Sequence, residues 1–202
     1  MTKKRVAVLI SGRGSNMASL IEAAKDDHYP AEIVLVLSNR PDAAGLARAK
    51  SRDIATAVVD HTEFGKDREA FERALQSVLE GHRVELVCLA GFMRLLTPWF
   101  VQRWEGRMLN IHPALLPAFK GINTHERALA EGAKTHGATV HFVTAEMDSG
   151  PIVAQSEVPV FVSDTADTLA ARVLEAEHKL YPQALRLVAE GRATINGSAL
   201  PN

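Results

Sequence analysis

Short, unbroken apolar runs alternate along the first half of the chain with segments whose apolar residues recur every three or four positions. Residues 5–11 (RVAVLIS) form such a run, stopped by Gly12, and predict a buried strand. Residues 15–26 follow as a helix, with Met17, Leu20, Ile21 and Ala24 on one face. The alternation repeats with a strand at 32–38 (EIVLVLS) and an alanine-rich helix at 42–51, capped by Asp42 or Asn39. A short strand at 56–59 comes next, then a helix at 67–79 with Phe71, Leu75 and Val78 in register, then a strand at 84–90 (VELVCLA). Strands apolar at nearly every position belong in the middle of a parallel sheet, where helices cover both faces.

Beyond residue 90 the pattern loosens. A short helix is predicted at 97–104, with Pro98 in its first turn, and a strand at 107–112 (RMLNIH) that ends in polar residues. A loop at 113–123 leads to a helix at 124–131 and to strands at 137–144 and 152–160, joined by residues 145–151. A long helical pattern covers 164–191, and Pro182 inside it should kink the helix or start a new one. Residues 192–202 are a short polar tail, expected to be mobile. No repeat, linker or charge block divides the chain, so one domain over 1–202 is expected. The fold class that follows is α/β. It is a doubly wound, mostly parallel sheet with helices on both faces, Rossmann-like in its N-terminal half. Such sheets bind ligands at the carboxyl ends of their strands, where strand order reverses. The loops after Ser11, Ala90 and His112 are therefore the places to look.

Composition narrows the function classes. The chain has 47% hydrophobic and 23% charged residues, ordinary globular usage that excludes disordered and low-complexity classes. Its net charge of −1 argues against a general nucleic-acid or anionic-membrane binder and leaves room for a local pocket for one small anion. No stretch approaches the roughly 20 apolar residues that span a bilayer, and the apolar run at 6–10 is too short for a secretion signal. The single cysteine, Cys88, allows no intramolecular disulfide and reads as core. A cytoplasmic location is expected.

Four features carry candidate chemistry. Ser11-Gly12-Arg13-Gly14-Ser15-Asn16 follows a strand and opens a helix, where free N–H groups and the helix dipole favour a phosphate. The loop is not a Walker A motif. It is an incomplete dinucleotide fingerprint, because Met17 occupies the third glycine position and strand two ends in Ser38-Asn39-Arg40 without an acid. A mononucleotide or sugar-phosphate monoester fits better, against a plain capped βα turn. Asn110 and His112 alternate onto one side of a strand end and can hydrogen-bond a developing oxyanion, or serve as a cap and a satisfied histidine. Asp148, in Glu146-Met147-Asp148-Ser149-Gly150-Pro151, is either an Asx-turn acceptor or a carboxylate favouring the charged form of His112. Glu177 interrupts the apolar row of Leu169, Val173 and Leu180, so an inward carboxylate suited to ribose hydroxyls stands against a solvated edge position. His125, His136 and His141 form no metal motif, and no Gly-x-Ser-x-Gly elbow is present.

The segments VAVLISGRGSN, AGFMRLL, MLNIHPALLP, HFVTAEMDSGP and EAEHKLYP run through nearly the whole chain, and together they resemble the phosphoribosylglycinamide formyltransferase family, folate-dependent enzymes of purine biosynthesis. Asn-Ile-His-Pro with a later Asp-x-Gly-Pro marks the wider formyltransferase group. Gly-Ser-Asn, Glu177-His178 and the short length narrow it. The resemblance implies formyl transfer from 10-formyltetrahydrofolate, a co-substrate, to the amine of glycinamide ribonucleotide. It implies phosphate binding at Gly14, Ser15 and Asn16. Ribose binding falls to Glu177, with Leu174, Glu175 and Ala176 lining the same segment. Folate would lie along Met93, Arg94, Leu95, Leu96 and Asn110, with backbone contacts from Thr144, Ala145, Glu146 and Met147 and with Arg68 toward its far end. Asn110, His112 and Asp148 would be the catalytic group. Asn110 and protonated His112 would stabilise a tetrahedral oxyanion, and Asp148 would hold His112 charged and help move a proton from amine to leaving nitrogen. Leu174 departs from the family pattern, which commonly has a polar residue there, and this leaves a side-chain contact at 174 open.

The resemblance implies no metal and no covalent intermediate. The expected partners are the two small molecules, with no nucleic acid and no membrane, in a monomer or homodimer. Three rivals differ in recognisable ways. Formyltetrahydrofolate hydrolase resembles Asn-Ile-His-His and usually carries an N-terminal regulatory domain. Methionyl-tRNA formyltransferase has a C-terminal extension. A non-catalytic sugar-phosphate or folate-binding protein need not keep Asn110, His112 and Asp148 together.

Overall fold

The computed structural model describes residues 2–197. Its first apolar run is β1 (Lys4–Ile10), whose last five residues are fully enclosed. The chain continues through α1 (Ser15–Ala24), β2 (Ala31–Ser38), α2 (Ala44–Lys50), β3 (Thr56–Val58) and a 3-10 turn at His61–Phe64. Then come α3 (Arg68–Gly81), β4 (Leu86–Leu89), α4 (Pro98–Arg103) and β5 (Met108–His112). The last elements are α5 (Thr124–Ala130), β6 (Thr135–Phe142), β7 (Ile152–Pro159) and α6 (Ala166–Ala189).

One seven-stranded sheet has the order β3-β2-β1-β4-β5-β6-β7. Neighbours from β3 to β5 are parallel, and the β5–β6 and β6–β7 pairs are antiparallel. The expected doubly wound, mostly parallel sheet is what forms. Strand order reverses between β1 and β4, which puts the switch point at the loops after Ile10 and Leu89. Period-two alternation splits β1 between two cores. Val6, Val8 and Ile10 join the core that includes α1 and α6, while Ala7 and Leu9 join the one that includes α3 and α4.

Several boundaries move, and the causes are local. The helix at 42–51 starts later, with Ala43 as an uncapped N-cap. Asp42 is instead taken by Arg40, whose Nε donates to it at 2.9 Å, and Asn39 turns inward to accept from Ser11 Oγ at 2.5 Å. The strand expected at 137–144 forms at Thr135–Phe142, because the chain turns into a loop after Val143, whose N–H still donates to Met108 O at 2.9 Å. Pro182 starts no new helix: α6 runs unbroken through it. Leu180, Tyr181, Ala184 and Leu185 are buried on either side and hold that stretch to the core, and Pro182 O accepts from Tyr29 Oη at 2.7 Å. The start of the tail docks, with Ala193 only 5% exposed and its N–H donating to Leu187 O. Residues 198–202 lie outside the described residues.

Candidate active site

The anion loop is made of backbone. Gly14 has φ +68°, the left-handed region glycine enters without strain, and it forms the N-cap of α1 with no side-chain cap. The N–H groups of the first turn are therefore open to a ligand. The loop is braced from behind by α2, where Gly45 N donates to Gly12 O at 2.9 Å. A Cβ on Gly45 would stand 2.4 Å from Ile10 Cδ1 and 3.2 Å from Gly12 O, so any larger residue would have to push the Ile10 side chain aside. Met17, in the third glycine position of a dinucleotide fingerprint, is fully buried core.

Gly14, Ser15 and Asn16 form one wall of a cleft of about 410 Å³, with Gly91, Met93 and Arg94 opposite and Asn39 and His61 toward β2. Two predicted segments meet beside it, for Asn16 Nδ2 donates to Glu177 Oε2 at 2.8 Å. Glu177 is only 6% exposed. Burial pushes its carboxyl above the ordinary range, against the pull of the Asn16 hydrogen bond. The solvated-edge reading of Glu177 is thus overturned, because α6 presses that row of side chains into the core. Leu174 and Glu175 are exposed, and Ala176 is half-buried.

The segment after β4 is anchored at alternate residues. Met93 N donates to Ser11 Oγ at 2.8 Å, Arg68 Nη2 donates to Leu95 O at 2.5 Å, and Thr97 N donates to Glu72 Oε1 at 2.6 Å. Thr97 Oγ1 also donates to the Glu72 carboxylate. Between these anchors Met93 and Leu95 are 77% and 65% exposed, while Arg94 and Leu96 are half-buried.

Asn110, His112 and Asp148 come together one strand further along the same sheet edge, outside the walls of the cleft. His112 Nδ1 stands 3.5 Å from Asp148 Oδ2, and His112 Nε2–H donates to Phe119 O at 2.9 Å. Each ring nitrogen thus lies near an oxygen atom, the backbone oxygen of Phe119 on one side and the Asp148 carboxylate on the other. Asp148 has φ +50°, accepts from Gly121 N at 2.9 Å and is largely enclosed, so it ties the 113–123 and 145–151 loops together. It is more than an Asx-turn acceptor. Thr144, half-buried, donates through Oγ1 to Glu146 O at 3.2 Å, and Ala145, Glu146 and Met147 are exposed on the loop that carries Asp148.

His141 belongs to this group and sequence reasoning passed it over. It is the antiparallel partner of Asn110, and its Nε2 lies 3.2 Å from Asn110 Nδ2 and 3.8 Å from Asp148 Oδ1. Its Nδ1–H donates to Phe142 O at 2.9 Å, so Nε2 carries the lone pair that accepts from Asn110. Burial holds this imidazole below the ordinary histidine range. The signal was present in the sequence. Had β6 been paired antiparallel with β5, Asn110 and His141 would have faced each other. Ser11 was also missed as the residue joining the anion loop to the 91–97 segment. Among the described residues no group of three His, Cys, Asp or Glu is arranged to hold a metal ion, and no helix is long and apolar enough to cross a membrane.

The fold is α/β, and the candidate site lies at the carboxyl edge of its sheet, with backbone donors on one side of the switch point and ionisable side chains on the other. The family model described as formyl transferase matches residues 4–185. A phosphoribosylglycinamide formyltransferase of Haemophilus influenzae is 43% identical over 98% of this chain and 96% of its own. The solved structure of phosphoribosylglycinamide formyltransferase from Brucella melitensis is 51% identical, has a TM-score of 0.90, and is matched over 98% of this chain and 100% of that one. The trifunctional purine biosynthetic protein adenosine-3 of Gallus gallus is 51% identical over 96% of this chain, which spans 19% of that protein's length. The chain belongs to the formyl transferase family, and within it to the phosphoribosylglycinamide formyltransferases.

Proposed function

We propose that the chain transfers the formyl group of 10-formyltetrahydrofolate to the amine of 5-phosphoribosylglycinamide in purine biosynthesis. The observation that carries this reading is the meeting of Asn110, His112 and Asp148 beside an uncapped anion loop. The phosphate sits on the N–H groups of Gly14, Ser15 and Asn16. Glu177, aligned by Asn16, takes the ribose hydroxyls, and Leu174, Glu175 and Ala176 border the sugar. The folate lies along Met93, Arg94, Leu95 and Leu96. Its apolar faces suit the exposed Met93 and Leu95, the backbone at Thr144, Ala145, Glu146 and Met147 receives its pterin, and Arg68 lies toward its far end.

The co-substrate supplies the formyl carbon, and the chain's residues handle charge and protons. The amine nitrogen bonds to that carbon, and the bond from carbon to the folate nitrogen breaks. One proton moves from the amine to the leaving nitrogen. His112 Nε2–H is committed to Phe119 O, so Nδ1–H is the edge offered to the developing oxyanion. Asp148, at 3.5 Å from that nitrogen, is beyond a close hydrogen bond, which leaves Nδ1–H free to reach the substrate. Asn110 spends one amide hydrogen on His141 and has a second to offer. Asp148 is the acceptor nearest the proton's path. The reaction needs two small-molecule substrates, and a cytoplasmic location suits it.

The test measures folate deformylation by absorbance, with and without the phosphorylated amine. Strict dependence on the amine is expected, and amine-independent turnover would make the chain a hydrolase. Asn110→Ala, His112→Ala and Asp148→Asn, each confirmed folded, should each lower turnover on the order of 10²–10³-fold. Near wild-type rates in all three would sink the catalytic assignment.

A further inference from the structure

Glu72 is a carboxylate that neither the anion loop nor the Asn110 group uses. It lies on α3, one turn after Arg68, and is 1% exposed. Its oxygens are spent on Thr97, one on the backbone N–H and one on the hydroxyl. A buried carboxylate is a poor device for stability alone, since apolar replacements of buried charges are often neutral or better. Its partner marks what it does. Thr97 ends the 91–97 segment, and the same segment is held at Met93 by Ser11 and at Leu95 by Arg68. The anchors fall at 93, 95 and 97, and all are polar. The side chains at 93 and 95 are apolar and face solvent. A loop tied this firmly that still presents large apolar side chains is a surface built before its ligand arrives. Preorganisation of that kind removes the ordering cost from binding.

We propose that Glu72 is a positioning residue for the folate co-substrate. By holding Thr97 it fixes the 91–97 segment as a preformed apolar platform, on which Met93 and Leu95 receive the ligand's planar ring system. This rests on the folate reading given above. Ser11 and Arg68 are the secondary anchors of the same platform. Ser11 closes the segment from the anion-loop side, through its hydroxyl to Met93 N and its own N–H to Gly91 O at 3.1 Å. Loss of Glu72 should loosen the platform and leave the Asn16–Glu177 side of the sugar-phosphate site untouched.

The test is steady-state formyl transfer by Glu72→Ala, Glu72→Gln and Thr97→Val, each beside wild type, with both KM values and kcat. Glu72→Ala should raise KM for the folate about tenfold or more, the scale of a lost hydrogen bond to a charged group, with KM for the phosphorylated amine within about twofold. Glu72→Gln keeps an acceptor for Thr97 N and should restore part of the affinity. Thr97→Val removes only the hydroxyl contact and should raise the folate KM by about threefold. A merely structural role would lower the active fraction, and so the apparent kcat, with both KM values unchanged. If Glu72→Ala does not fold, the other two variants carry the test. Wild-type turnover with an unchanged folate KM in Glu72→Gln and Thr97→Val overturns the proposal alone. A wild type without folate-dependent turnover removes the reading beneath it.

Discussion

β1 and β5 end at the same edge of one sheet, yet they build their parts of the site in opposite ways. β1 is enclosed on both faces and hands over to a loop whose donors are backbone N–H groups, held by the left-handed Gly14 and the close approach of Gly45. β5 contributes side chains, and their partners arrive on antiparallel β6 and on two loops with non-glycine residues at positive φ, Phe119 at +54° and Asp148 at +50°. On the proposed reading, the parallel half needs little beyond its fold to receive a phosphate. The antiparallel half needs loops placed to a fraction of an ångström, and it spends backbone strain to place them.

If that contrast is right, the two halves should respond differently to one added methyl group. A Cβ on Gly150, two residues past Asp148, would stand 1.7 Å from Phe142 O, a backbone atom of β6 that cannot step aside. The obstruction at Gly45 is first the far end of the flexible Ile10 side chain. Gly150→Ala should therefore cost stability at or above the top of the roughly 1–3 kcal/mol range for overpacking, and it should reduce turnover further by shifting Asp148. Gly45→Ala should fall near the bottom of that range, about 1 kcal/mol, and show chiefly as weaker binding of the phosphorylated amine. Urea midpoints and the two KM values check this. Equal losses in both would break the comparison.

Acid should also strike the antiparallel half first. His136, on β6, is 1% exposed, with Phe119 and His125 rings packed edge-on at 5.6 and 5.2 Å. Burial, with the like charges of His125 and His112, pulls its pKa from 6.5 to about 4. Between those values the unfolded chain binds the extra proton and the folded one does not. Stability is thus fully present above about pH 6.5 and falls as pH drops toward 4, by up to roughly 3 kcal/mol from this group. His136→Phe should flatten the dependence of the urea midpoint on pH between 6.5 and 4.5, and an unchanged slope would assign the acid sensitivity elsewhere.

The same contrast explains what could be read from sequence. β1, β2 and β4 were legible because an apolar run between helical patterns has few other uses, and Gly12 and Gly14 announced a loop built from backbone. Asn110 and His112 were legible as neighbours on one strand face. Asp148 was visible as a residue but its distance to His112 was not, since residues 149–151 and Phe142 fix it through loop contacts that no periodicity encodes. His141 was hidden by a missing fact of topology, the antiparallel pairing of β5 with β6. Pro182 starts no new helix because the buried residues on both sides of it outweigh local propensity.

Glu177 is where the backbone-built half departs from its own rule, and it gives the smallest and sharpest test. The carboxylate faces burial that raises its pKa, with one opposing hydrogen bond from Asn16. A group whose folded pKa lies above its unfolded value of 4.5 favours folding below that value. The advantage is lost as pH rises through the folded pKa, so an ionised Glu177 is a net cost near neutrality. Gln has the same shape and no charge. It can accept from Asn16 Nδ2 and offer an N–H toward Asn16 Oδ1, a buried atom without a hydrogen-bond partner. Glu177→Gln should therefore stabilise the protein by about 1 kcal/mol at pH 7.5, with the gain vanishing toward pH 4, while binding of the phosphorylated amine weakens and the folate KM holds. A gain that did not depend on pH would mean the amide merely packs better. A loss at pH 7.5 would mean that the carboxylate is held by partners beyond Asn16, and that this side of the switch point is as dependent on side chains as the other.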